Sequence, residues 1–178
     1  MKINSLFTIL LSVIIFFLCS FEIPKNLQKK VAKEIKATYS IENYTLTNVS
    51  INSVLNSSLP IKINNDNFYK IVSSNKVVGF VFLEKAPSKT AEFDYLILLD
   101  VTGTIKKSKV LIYREEYGGE IGSTRWLRQF IGKKSGDNLE YKNNIDAISG
   151  ATISVRSMIN ATNDVLKTVK NLKENKII

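Results

Sequence analysis

Two apolar runs, VVGFVFL at residues 77–83 and YLILL at 95–99, constrain this chain more than any other feature. Each is apolar at odd and even positions alike, so a strand built from it carries apolar side chains on both faces. Such strands belong at the centre of a sheet that is covered on each side. A chain of 178 residues, 44% of them hydrophobic, is long enough for one domain with a core of that kind.

The neighbours of these runs supply the rest of the pattern. FYKIVSS (68–74) and the first run flank Asn75-Lys76 as a hairpin, and FDYLILLDV (93–101) and TIKKSKVLIYRE (104–115) flank Gly103 as a second. Residues 43–65 are rich in Asn and Ser and read as irregular structure with a short strand or two. STRWLRQFIGK (123–133) suits a helix ended by Gly132, and KKSGDNLEYKNN (133–144) reads as polar turns. From about Ile153 to Asn175, Val155, Ile159, Thr162, Leu166, Val169 and Leu172 recur at three- and four-residue steps. That spacing predicts a long C-terminal amphipathic helix. Strands followed by helices give an α+β fold, a mostly antiparallel sheet packed with helices.

The N-terminus has a different character. Lys2 precedes an apolar run from Leu6 to Leu18, the shape of an export signal. Residues 1–20 therefore read as a signal peptide or a membrane anchor, with lipidation of Cys19 a third possibility that the large Leu18 before it disfavours. In PKNLQKKVAKEIKATY (24–39), Leu27, Val31 and Ile35 lie one helical turn apart among lysines. Residues 21–42 are assigned as a connecting basic helix, with a helix resting on an anionic membrane as the competing reading. Residues 43–178 form the main domain. The expected location is the cell envelope, in the periplasm or on the outer face of the membrane, with membrane association.

Composition then removes whole classes of chemistry. The chain has no histidine and one cysteine, Cys19, which cleavage after Ser20 would remove. Without those side chains there is no Ser-His-Asp or Cys-His nucleophile system, no ordinary zinc site and no cysteine-held iron–sulfur cluster. Redox work would need an organic cofactor. The net charge of +9 suits an anionic partner, but the lysines are scattered and no nucleic-acid-binding signature is present.

One stretch concentrates polar chemistry at a predicted helix start: DAISGATIS, residues 146–154. Ser149 or Thr152 could simply cap the helix, with Gly150 as an ordinary turn residue. The same residues could instead serve an anion. First-turn amides attract phosphate, Gly150 and Ala151 leave room for it to approach, and Thr152 offers a hydroxyl. Arg156, four residues on, is expected over the same face. Asp146 suits a turn or a recognition contact better than a phosphate neighbour.

Asp146, Ser149, Gly150, Ala151, Thr152 and Ser154 match the D-x-x-S-G-A-T-x-S/T pattern, and in this the chain resembles the FMN-binding domain family. That family includes flavin-carrying subunits of the sodium-pumping NADH:quinone oxidoreductase and of the Rnf electron-transport complex. The resemblance implies FMN attached through its phosphate to Thr152 by a flavin transferase that uses FAD. It also implies redox partners in or outside the membrane. The hairpin around Gly103 looks like two family strands, and the loop EEYGGEIG (115–122) stands where many members have E-T-P-G-L-G. Gly118, Gly119 and Ile121 keep its small and apolar character, without the proline and threonine. Tyr117 and Trp126 are candidates to stack on or cover the flavin ring, although Trp126 could equally be core. Exposed Arg125 and Arg128 are read as solvated, with offsetting charge on a reduced flavin or on the phosphate as the competing reading. The resulting expectation is an exported electron carrier rather than a stand-alone enzyme. The alternative is a non-redox exported binding module for an anionic lipid or glycan, in which SGAT is a helix cap and nothing more.

Overall fold

The computed structural model describes residues 23–178; the expected export or anchor segment over 1–20 lies outside the described residues. Helix α1 (Lys25–Tyr39) comes first, followed by the short strand β1 (Thr45–Asn48) and the helix α2 (Ser53–Ser58). Strands β2 (Phe68–Ser73), β3 (Lys76–Pro87), β4 (Glu92–Leu99) and β5 (Ile105–Ile112) follow. A 3₁₀ turn at Gly119–Gly122, a single α-turn α3 (Thr124–Leu127) and a second 3₁₀ turn at Arg128–Phe130 lead to α4 (Thr152–Glu174). The five strands form one antiparallel sheet in the order β1-β2-β3-β4-β5. The α+β, mostly antiparallel architecture expected from the sequence is therefore present, with its long C-terminal helix.

Period-two alternation sorts the apolar runs onto the two faces of the sheet. Phe80, Phe82, Phe93, Tyr95, Ile97 and Leu99 join a core completed by α4 through Val155, Met158, Ile159, Val165, Leu166, Val169 and Leu172. Val81, Leu83, Leu96 and Leu98 point the other way and pack with Leu27, Val31 and Ile35 of α1. Both faces are dry, as the doubly apolar runs require. Helix α1 is thus a covering layer of the sheet, and its lysine-rich face stays outside. Tyr39 at its end donates a 2.7 Å hydrogen bond to the Leu99 carbonyl, and Lys107 of β5 pairs with Glu34.

Three local features differ from expectation. The first hairpin turns at Ser74-Asn75, with φ of 49° and 60°, and Lys76 already belongs to β3. Successive positive φ values match the right-handed twist of the hairpin, which places the turn one residue earlier. STRWLRQFIGK makes only one α-turn before tightening to 3₁₀. Its end is captured by β5: Gly132 N–H donates to the Ile105 carbonyl, and Ile105 N–H donates to that of Lys133, both at 2.8 Å. Those tertiary bonds outcompete helix continuation. Finally, α4 has Ala151 at its N-cap position and no side-chain cap, so neither Ser149 nor Thr152 caps it.

Candidate functional site

The uncapped start of α4 opens into a groove of about 510 Å³, within the range of small-molecule sites. Lys89, Tyr113, Glu115, Tyr117 and residues Gly150 to Ser154 line it. Gly150 turns the chain into the helix with φ of 77°, a conformation that a side chain would strain, and its missing Cβ faces open space. Ala151 is buried, whereas Thr152 is exposed. The Thr152 hydroxyl has no hydrogen-bond partner among the described residues. The amides of Thr152, Ile153 and Ser154 have no intramolecular acceptor there either. These are the donors that a first helical turn leaves over, and nothing among the described residues uses them.

The loop after β5 forms the opposite wall. Gly118 has φ of 79°, and a Cβ there would lie 2.7 Å from the Ala151 Cβ and 3.1 Å from the Tyr113 hydroxyl. Glycine therefore permits the two loops to touch. Tyr113 holds them in register: its hydroxyl donates to the Tyr117 carbonyl at 3.1 Å and lies 3.0 Å from the Ser154 hydroxyl. Ser154 is buried in this contact, which identifies its role as structural support. Tyr117 is 79% exposed, a large aromatic ring at the rim with little protein against it.

The groove's two charged residues come from the sheet edge. Glu115 accepts from the Ser88 hydroxyl (2.6 Å), the Thr90 amide (2.7 Å) and hydroxyl (2.8 Å) and the Ala91 amide (3.1 Å). The Ser88 hydroxyl first, then the Thr90 groups, pull its carboxyl down to about 2. Lys89 sits in the turn so fixed and enters no ion pair among the described residues.

Other expected site residues lie elsewhere. Arg156 does not share the groove: its guanidinium stacks 4.3 Å above the Tyr141 ring, beside a separate cavity of about 340 Å³. The long side chain gains a cation–π contact there and leaves Thr152 without a cationic neighbour from α4. Trp126 is buried in edge-to-face contact with Phe130, 5.1 Å between centroids, and its Nε1–H donates to the Asp146 carbonyl at 2.8 Å. With Asp146 it lines an adjoining cavity of about 280 Å³. The Asp146 amide also donates to Gln129 Oε1 at 2.8 Å, so this residue anchors the SGAT loop through its backbone. Ser149 is exposed in the turn, Gly119 begins a 3₁₀ turn in open surroundings, and Ile121 is wholly buried core. Lys89, Tyr113 and Glu115 were not singled out from sequence. Their only signal is the position of the β3–β4 turn and the end of β5, which pairing alone brings beside α4.

With that geometry in view, comparison with known families bears on the cofactor. The model of the FMN-binding domain matches residues 90–167. The match supports flavin binding, with FMN as the cofactor. It takes in every residue lining the groove except Lys89, one position before it begins. The residues present fit such a group: unused amides for a phosphate, a free hydroxyl, and an apolar groove with an exposed aromatic rim. Among solved structures, the chain is similar to the crystal structure of Shewanella oneidensis NqrC, at 18% identity and a TM-score of 0.49. That similarity covers 74% of this chain and 70% of the other. No curated protein matches the chain.

Proposed function

We propose that this protein is an exported electron carrier whose FMN is joined through its phosphate to the Thr152 hydroxyl. The observation that carries the reading is a free, exposed hydroxyl beside three unused helix amides within the stretch that matches the FMN-binding domain. A flavin transferase would supply the group from FAD. The Thr152 oxygen bonds to the flavin-side phosphorus, the pyrophosphate bond breaks, AMP leaves, and the hydroxyl proton passes to base or solvent. The amides of Thr152, Ile153 and Ser154 and the positive end of α4 would then face the remaining phosphate charge. Bound FMN supplies the redox chemistry, and the chain positions it and excludes water from one side. Electrons would pass between redox partners in the membrane or outside it, with residues 1–20 directing export or anchoring.

Co-expression of the full chain with a flavin transferase tests the attachment, read by intact mass and in-gel flavin fluorescence. Flavin is expected on the parent chain, on Ser149→Ala and on Ser154→Ala, and is expected to be absent from Thr152→Ala. Retention of covalent flavin by Thr152→Ala would refute the assignment. Fractionation of the expressing cells, with the flavin signal in the envelope, tests export.

A further inference from the structure

The β3–β4 turn is sewn to the end of β5 by two adjacent side chains. Arg114 donates to the Glu92 carbonyl at 2.8 Å and pairs with Asp94 at 2.5 Å, while Glu115 gathers Ser88, Thr90 and Ala91. Between the gathered residues lies Lys89, exposed and without an ion-pair partner among the described residues, on the wall of the groove that holds Thr152. A surface lysine on a loose turn would be worth little, because it samples many positions and solvent screens it. This turn is fixed from both sides, so the Lys89 side chain starts from a set position on the groove wall. The other groups facing it there are the neutral Tyr113 and Tyr117 hydroxyls and the Glu115 carboxylate, whose oxygens are engaged by the turn itself. Arg156, the cation expected from sequence, is occupied on Tyr141.

We infer that Lys89 tunes the reduction potential of the bound flavin by stabilising the negative charge of its reduced ring, and that Glu115 is the positioning residue that holds Lys89 in place. The inference rests on the FMN reading of this groove. Uptake of two electrons and one proton by the neutral oxidised ring leaves a reduced ring with one negative charge. The electrons come from a redox partner protein in the cell and from dithionite in the test. A fixed cation nearby favours that product and raises the potential; it adds little to the neutral oxidised form. The phosphate end of FMN has the α4 amides, so Lys89 is available to the ring.

The test uses full-length flavinylated protein titrated with dithionite against a reference dye at pH 7 and low salt. Lys89→Met is expected to shift the reduction equilibrium about tenfold toward the oxidised form, about 30 mV for a two-electron couple. Lys89→Arg should restore most of the shift, and Ser88→Ala combined with Thr90→Val, which loosens the hold of Glu115 on the turn without changing any charge, should show part of it with Lys89 intact. High salt should shrink the difference between parent and Lys89→Met. Equal potentials for parent and Lys89→Met, at equal flavin content, would overturn the inference while leaving the FMN assignment intact. An unflavinylated parent would instead overturn the FMN assignment.

Discussion

Glu115 shows how one carboxylate can organise a turn at the surface. Four donors converge on it, and its ionised form is favoured, Ser88 first, down to about 2 from an ordinary 4.5. A folded-state pKa below the unfolded one contributes stability that is fully present above about 4.5 and disappears as pH falls toward about 2. The parent chain should therefore melt higher than Glu115→Ala at pH 7, and the two melting temperatures should converge as pH is lowered through that window. Differential scanning calorimetry at several pH values checks this, and a gap that persists unchanged at the acid end would contradict the hydrogen-bonding account. Thr152 differs in kind, because its own short pattern marked it and the structure leaves its hydroxyl free. Glu115 and Lys89 could not be marked that way. Their roles depend on which strand end meets which turn, and no local spacing encodes that.

At the level of elements, the legible parts were those whose burial repeats along the chain. The alternation of Phe93, Tyr95, Ile97 and Leu99 against Leu96 and Leu98, and the stripe of α4, could be read because one side chain after another obeys a single period. The 123–133 segment was not legible as a broken helix, since bonds to Ile105, far away in sequence, decide where it stops. Contact between the loop after β5 and the start of α4 is of the same non-local kind. Gly118 permits it, and Gly118→Ala would combine a left-handed backbone penalty of about 1–2 kcal/mol with a clash against Ala151. Overpacking of this sort typically costs about 1–3 kcal/mol, so a total loss of roughly 2–5 kcal/mol is expected in urea unfolding. Flavin loading should fall as well, because the wall moves away from Thr152. Gly119→Ala, with open space around the added methyl, is the matched control and should load as the parent does.

For the whole molecule, the sheet's need for two covers decides how little of the chain can stand alone. The sequence separates residues 21–42 as a connecting segment and begins the domain at 43. Yet α1 shields Val81, Leu83, Leu96 and Leu98, and burying side chains of this kind contributes about 1.5–3 kcal/mol each. Three apolar positions in a lysine-rich stretch gave too faint a stripe to reveal that role, because an exposed connector has much the same composition. A chain starting at residue 43 would present a contiguous apolar sheet face to water, an arrangement that monomers avoid. It should associate or aggregate in size-exclusion chromatography and bind a hydrophobic dye. A chain starting at residue 23 should be monomeric and melt cooperatively. The groove at Thr152 lies on the α4 side of the same sheet, and its far wall depends on strands β3 to β5 keeping their pairing. Loss of α1 is therefore expected to lower flavin loading without touching any groove residue. A monomeric, fully loaded 43–178 chain would show that the sheet needs only one cover.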